Sequence, residues 1–204
     1  MKIAVLGWGS VVWERGVLEV AADFLPNGPH LPLEFCRVSG DERLTLVIDE
    51  TFGATCPTYA AQSSFGDLNA ALLNLWVREG SKEGSKGEPL PGEVRRHGRV
   101  GFTDVSSGQK SDSAMQRHPR AVAAITTWAK ANGYDAAIWT ALASRLHVPG
   151  KRGEPFTINA AIRYLEDLEK RDAATFGFAL TYIRKAPIEV QTPVRDAVKK
   201  RWPG

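Results

Sequence analysis

The sequence predicts an α+β fold, with a mixed, mainly antiparallel β-sheet or small barrel, flanking helices and a helical C-terminal region. Strand-like segments are concentrated in the first half of the chain. Helical patterns group after residue 153 instead of alternating with the strands, which is typical of α+β proteins. With 204 residues, 43% of them hydrophobic, the chain can form one domain at 1–150, with a C-terminal helical extension at 151–204 packed on the same domain.

Four strands are predicted in the first half, at 2–6, 31–39, 44–49 and 58–62. The short polar turn Gly40-Asp41-Glu42 separates the second strand from the third, which predicts an antiparallel hairpin. Glu34 and Arg37 stand three positions apart in this hairpin, so we expect them on opposite faces of the sheet. Arg37 is the better candidate for binding a substrate carboxylate, and a surface ion pair is the alternative.

A helix is predicted to begin near Asp67, whose side chain suits an N-cap. Five apolar residues then fall at helical offsets 0, 3, 4, 7 and 8 and form one stripe: Leu68, Ala71, Leu72, Leu75 and Trp76. Glu79 takes the next position on this stripe, whereas Arg78 lies off it, and Gly80 can end the helix in a left-handed conformation. Burial and the negative end of the helix dipole both disfavour a Glu79 anion, which suits a general acid/base. A glutamate that reaches water at a fraying helix end is the alternative.

The second half of the chain begins with a segment rich in glycine and proline, 80–93, which is a predicted loop or a lid over a site. A helix at 119–131 and a buried strand at 135–142 follow. Three further helices are predicted at 157–170, 173–185 and 194–201. The last has Thr192 as its N-cap and Pro193 at its first position.

The turn after the first strand allows two interpretations. Gly7 and Gly9 could bring the backbone close to a pyrophosphate, as in a dinucleotide-binding fold. That fingerprint requires a small third residue, where this chain has Val12, and a helical crossover where it has a predicted hairpin. We therefore favour a turn that binds a small substrate.

Four features together resemble bacterial members of the γ-glutamylcyclotransferase-like superfamily. They are the turn Gly7-Trp8-Gly9-Ser10, the hairpin formed by 31–39 and 44–48, the helix end Arg78-Glu79-Gly80 and the segment 133–142. The resemblance implies the small mixed sheet or barrel of that superfamily. It also implies a substrate-binding turn at Gly7, Trp8, Gly9, Ser10 and Val11, and Glu79 as the acid/base. Trp8 replaces the usual tyrosine, so an indole N–H, which only donates, replaces a phenol.

The chemistry implied by this resemblance is an intramolecular aminolysis. The α-amine of a γ-glutamyl amide would attack its own γ-carbonyl, giving 5-oxoproline and a free amine or amino acid. Glu79 would take a proton from the α-ammonium and return it to the leaving nitrogen. The reaction requires no cofactor and no metal. The expected partner is thus a small γ-glutamyl substrate.

A non-catalytic binding protein with the same fold is the alternative. Eight residues form a basic region that could bind nucleic acid or an acidic partner: Arg95, Arg96, His97, Arg99, Lys110, Arg117, His118 and Arg120. A formal charge of only +3 and poor aromatic interleaving make a solvated surface the simpler interpretation. Four scattered histidines predict no metal site, and the chain has no run of about 20 apolar residues for a membrane span. We expect a cytoplasmic protein, and the sequence leaves its oligomeric state open.

Overall fold

The computed structural model describes residues 1–80, 93–96, 98–144, 146 and 156–204. Seven strands are described: β1 (Ile3–Gly7), β2 (Leu31–Val38), β3 (Leu44–Ile48), β4 (Ala54–Cys56), β5 (Tyr59–Gln62), β6 (Val100–Asp104) and β7 (Ala136–Thr140). Six α-helices are described: α1 (Leu68–Arg78), α2 (Asp112–Arg117), α3 (Pro119–Ala131), α4 (Ile158–Arg171), α5 (Ala173–Lys185) and α6 (Pro193–Arg201). The predicted α+β class is confirmed. Most of the predicted loop at 80–93 lies outside the described residues.

The chain divides into two compact units. The first contains Met1–Leu31 and Pro57–Leu142, and the second contains Pro32–Cys56 and Ala143–Gly204. The division therefore does not follow the predicted boundary near residue 150. The hairpin belongs with the C-terminal helices, and its segment interrupts the first unit.

The first unit is built on a four-stranded sheet in the order β5-β1-β7-β6. β1 runs antiparallel to β5 and parallel to β7, with Leu6 beside Trp139, and β7 runs antiparallel to β6. Because β1 and β7 are parallel, their carboxyl ends lie at the same edge of the sheet. Within the described residues neither this sheet nor that of the second unit closes, so the small barrel predicted as an alternative is not formed.

Helix α1 covers one face of this sheet. Its buried residues are the five predicted ones, Leu68, Ala71, Leu72, Leu75 and Trp76. They join a core cluster with residues of β1, β6 and β7, among them Val5, Phe102 and Ile138. The Asp67 side chain accepts a hydrogen bond from the backbone N–H of Ala70 at 2.9 Å, so the predicted N-cap is confirmed. The capping residue thus identified the start of α1, and helical periodicity identified its buried face.

The second unit has a three-stranded sheet in the order β3-β2-β4. The predicted antiparallel hairpin is confirmed, with Leu33 opposite Ile48. A bulge lies between Phe35 and Arg37, so that Glu34 pairs with Val47 while Arg37 pairs with Thr45. Val47 and Thr45 are two residues apart on β3 and share a face. The prediction that Glu34 and Arg37 face opposite sides is therefore wrong, because the bulge adds one residue between them.

Helices α4, α5 and α6 complete the second unit and lie where the sequence predicts them. Each begins at a side chain that accepts a hydrogen bond from a backbone N–H of the first turn, namely Thr157, Asp172 and Thr192. Thr192 with Pro193 behind it was the predicted start of α6 and is confirmed. The sequence analysis missed the short elements β4 and α2 and also β6, which is as long as β1.

Candidate functional site

The turn after β1 leaves the sheet at the edge where β1 and β7 end. Gly7 is the last residue of β1, and Ser10–Val12 form a single 3₁₀ turn directly after it. A Cβ on Gly7 would lie 2.6 Å from the Val11 side chain and 3.2 Å from Phe24, so no other residue fits without a shift of the turn. Gly7 therefore allows the turn to fold tightly back over the strand end.

Most of the predicted substrate-binding side chains of this turn are buried. Trp8 is 4% exposed, and Val11, at 5%, belongs to the core cluster on the α1 face. Gly9 is buried, whereas Ser10 is half-buried. The side chain that this turn offers to a ligand is thus that of Ser10, and Trp8 and Val11 pack within the protein.

The end of α1 has the predicted geometry. Glu79 is the C-cap residue, and its backbone N–H donates to the Leu75 carbonyl at 3.1 Å. Gly80 follows with φ +99°, the left-handed conformation expected of a helix stop, which is confirmed. The Glu79 side chain is 7% exposed, so the carboxylate is buried at the helix end and does not extend freely into water.

Arg78 connects this helix end to the turn. Its Nη1 donates to Glu79 Oε1 at 2.6 Å, and its Nη2 donates to Ser10 Oγ and to the Glu14 carbonyl, both at 2.9 Å. The Arg78 side chain is 14% exposed. One half-buried guanidinium thus brings together Ser10 and Glu79, which the sequence predicted separately. The sequence analysis missed Arg78 because its position off the apolar stripe says nothing about how far its long side chain reaches.

These contacts limit the chemistry that each group can perform. Ser10 Oγ accepts a hydrogen bond from a guanidinium, which stays protonated and cannot act as a base, so this contact does not activate Ser10 as a nucleophile. The serine keeps its own hydroxyl hydrogen to donate. Glu79 uses Oε1 toward Arg78, and among the described residues Oε2 has no hydrogen-bond partner. Glu79 can therefore accept a hydrogen bond from a ligand at Oε2 while Arg78 holds its carboxylate in place.

Arg37 lies in β2 of the second unit, where its Nη1 donates to the Ala143 carbonyl at 3.2 Å. Glu79, Ser10 and Arg78 belong to the first unit. The assignment of Arg37 to a substrate carboxylate stays a prediction.

The second unit contains buried acidic groups beside a buried thiol. Glu34 is completely buried, and its carboxylate accepts from the backbone N–H groups of Phe35 at 2.7 Å and Val194 at 3.3 Å. Burial raises the pKa of Glu34 and also that of the Cys36 thiol, whose Sγ lies 3.7 Å from Asp49 Oδ2. A thiol held in its neutral form is a poor nucleophile, so the surroundings of Cys36 suit a structural role and not a catalytic one.

Side chains of the predicted basic region make contacts within the first unit. Arg95 donates to Gln109 at 2.9 Å, and Arg117 Nη2 donates to the Gly98 carbonyl at 2.8 Å. His97 lies outside the described residues. At least two of the cations are therefore used in packing loops and helices together, which fixes their side chains while their charge remains.

In the part of the chain that the structure describes, no group of three or more His, Cys, Asp or Glu side chains could hold a metal ion. The helices described are too short or too polar to cross a membrane. The chain matches no protein-family model, no curated protein and no solved structure.

Proposed function

We propose that this protein is a γ-glutamylcyclotransferase-like enzyme that converts a γ-glutamyl amide to 5-oxoproline and a free amine or amino acid. Glu79 is the general acid/base, and the turn from Gly7 to Val11 binds the substrate. A cytoplasmic location is part of the same proposal. The observation that carries it is the Arg78 bridge, which places the predicted acid/base beside the predicted binding turn.

The position of this pair at the sheet edge supports the proposal. Ligands of sheets with parallel strands often bind outside the carboxyl ends of those strands. The turn follows the carboxyl end of β1, and Thr140, half-buried, is the last residue of the neighbouring parallel strand β7. Arg78 ties the end of α1 to the same turn. The turn and the end of α1 therefore meet at the sheet edge where β7 also ends.

In the proposed reaction the substrate supplies its own nucleophile. Glu79 Oε2 accepts a proton from the α-ammonium, and the free amine attacks the γ-carbonyl carbon and closes a five-membered lactam. The bond from that carbon to the leaving nitrogen then breaks as Glu79 returns the proton to this nitrogen. The attacking nitrogen loses a second proton on becoming the lactam N–H, and Glu79 passes this proton to the released amine, which leaves as an ammonium. The Ser10 hydroxyl can donate to the substrate, because its oxygen already accepts from Arg78. Folding the substrate so that amine meets carbonyl supplies much of the acceleration.

The test is to incubate the full chain with a panel of γ-glutamyl amino acids and γ-glutamyl amines and to measure 5-oxoproline. We expect turnover of at least one of them, and a loss of about 10² to 10⁴ in rate for Glu79→Gln. Glu14→Gln is the matched control, because Glu14 is in the same turn region and meets Arg78 only through its backbone carbonyl. It should retain most of the activity.

Two results would contradict the proposal. One is the absence of 5-oxoproline with every substrate of the panel, and the other is an unchanged rate for Glu79→Gln. Saturable binding of a γ-glutamyl compound without turnover would favour the non-catalytic alternative. Salt-dependent retention on a nucleic-acid column, lost on neutralising Arg95 and Arg117, would favour the nucleic-acid form of that alternative.

A further inference from the structure

A cavity of about 480 Å³ lies in the second unit between the end of α5 and one side of α6. Such a volume is within the range of small-molecule sites. Its lining includes three cations, Arg184, Arg195 and Lys199, and three large apolar residues, Ile183, Val198 and Trp202. No acidic side chain of a described residue lines it. The cavity thus combines a positive wall with an apolar one.

Arg195 is the fixed part of the positive wall. It is 5% exposed and donates four hydrogen bonds to carbonyl oxygens at the end of α5 and in the following loop. Nη1 donates to Pro187 and Val190 at 2.6 Å, and Nη2 donates to Ala186 at 2.6 Å and Arg184 at 3.2 Å. These bonds orient the guanidinium without neutralising it, because a carbonyl oxygen carries only a partial charge.

The other two cations are also held by neutral oxygens. Arg184 Nη2 donates to the Trp202 carbonyl at 2.9 Å, and Lys199 Nζ donates to Gln191 Oε1 at 3.0 Å. None of the three cations forms an ion pair with a carboxylate of a described residue. Burial lowers the pKa of Arg195, an effect that Asp196 and Glu189 only partly offset. The positive charge of this wall is thus only partly offset, by the nearby carboxylates of Asp196 and Glu189.

We propose that this cavity binds a small amphiphilic anion, a carboxylate or phosphate carried on an apolar body. The anionic group lies against Arg184 and Lys199, whose exposed side chains can turn toward it, and the fixed charge of Arg195 attracts it through the wall. The apolar body packs against Trp202, Ile183 and Val198. This site is separate from the proposed chemistry, since all of its residues belong to the second unit.

The test is calorimetric titration of the full chain with phenyl phosphate, inorganic phosphate and phenol. We expect phenyl phosphate to bind at one saturable site, inorganic phosphate to bind at least about tenfold more weakly, and phenol not to bind measurably. The double variant Arg184→Gln, Lys199→Gln should lose about tenfold or more in affinity. Both residues are exposed, so the thermal midpoint should stay near that of the parent chain.

The matched control is the double variant Lys185→Gln, Lys200→Gln, which removes the same charge from the same two helices outside the cavity lining. Its affinity should stay within about twofold of the parent. Equal losses in the two double variants would overturn the site, because binding would then depend on net charge alone. Absence of phenyl phosphate binding would overturn it directly, and equally tight inorganic phosphate would overturn the amphiphilic assignment. Glu79→Gln should leave the binding unchanged.

Discussion

The two units hold buried charge in different ways. In the first unit, the half-buried cation Arg78 contacts the carboxylate of Glu79, whose side chain is 7% exposed, at 2.6 Å, so charge meets opposite charge. In the second unit, the buried cation Arg195 is held by four carbonyl oxygens, and the buried carboxylate Glu34 accepts from two backbone N–H groups. Arg78 and Glu79 thus form an ion pair, whereas Arg195 and Glu34 are each surrounded by backbone dipoles.

This difference separates two uses of a buried charge. A pair that is neutral as a whole can keep a carboxylate in place for proton exchange without leaving net charge inside the protein. An ion surrounded by dipoles fixes the backbone groups that bind it, while its own charge still acts on its surroundings. The first arrangement suits a reacting group. The second suits the joining of secondary structure elements, as Arg195 does for α5 and α6.

The largest expected effect comes from removing the cation of the second unit. Arg195→Met would leave four carbonyl oxygens at the end of α5 without their donor, at an expected cost of about 3 to 5 kcal/mol in the free energy of unfolding. Urea denaturation measures this cost. Lys200→Met, an exposed position on the same helix, should change the free energy by less than about 0.5 kcal/mol. A loss for Arg195→Met as small as that of the control would contradict the dipole arrangement.

The next effect is the coupling between Arg78 and Glu79. A double-mutant cycle with Arg78→Met and Glu79→Gln should give an interaction free energy of about 1 to 3 kcal/mol, because each single change leaves the other group buried without its partner. The comparison cycle uses Arg195→Met and Lys200→Met, two residues of the same helix that share no hydrogen-bond partner, and should be additive within about 0.5 kcal/mol. Additive behaviour of Arg78 and Glu79 would remove the distinction between the two units.

The third prediction concerns pH and Glu34. Burial raises the pKa of Glu34 in the folded protein above its ordinary value of 4.5, so the folded state holds this proton more tightly than the unfolded state. The stability of the parent chain should therefore fall as the pH rises from about 4.5 through the folded pKa. Glu34→Gln has no titrating group here and should lack this part of the decline. Urea denaturation of both proteins between pH 4 and pH 7 tests this, and parallel curves would contradict it.

The smallest expected effect is at Asp67, an exposed carboxylate that accepts a hydrogen bond from a backbone N–H, as the buried Glu34 does. Asp67→Ala removes the N-cap of α1 and should cost about 1 kcal/mol in the free energy of unfolding. Asp67→Asn keeps an acceptor oxygen and should cost only a few tenths of that. Thermal denaturation of the two variants is sufficient to separate them. Equal losses would mean that charge, and not the hydrogen bond, is what Asp67 contributes.

The features that the sequence predicted well are local ones. The apolar stripe of α1 and the starts of α1 and α6 depend on residues within a few turns of one another, so periodicity and capping rules identify them. The hairpin of β2 and β3 was predicted for the same reason. β6 was missed because Gly101 interrupts its apolar run. Glycine is needed at this position because of a neighbour that is distant in the sequence. A Cβ on Gly101 would lie 2.5 Å from the Trp139 ring on β7.

The site was predicted in parts but not as an assembly. Ser10 and Glu79 were each named from the sequence, yet the group that joins them, Arg78, depends on a side chain crossing from a helix end to a turn 68 residues away. The location of Glu34 and Arg37 on the same face of the hairpin was missed, because no sequence rule placed a bulge between them. Both depend on tertiary packing.

The position of β1 has a consequence for how the chain is made. β1 is synthesised first, yet its parallel partner β7 begins at Ala136, and the segment Pro32–Cys56, which belongs to the second unit, emerges in between. At typical rates of translation, roughly ten seconds separate Ile3 from Ala136 on the ribosome. During that interval the edge of this entirely buried strand that receives β7 has no partner, because β5 pairs with the opposite edge. The protein should therefore fold slowly, and fragments that stop short of Ala136 should aggregate.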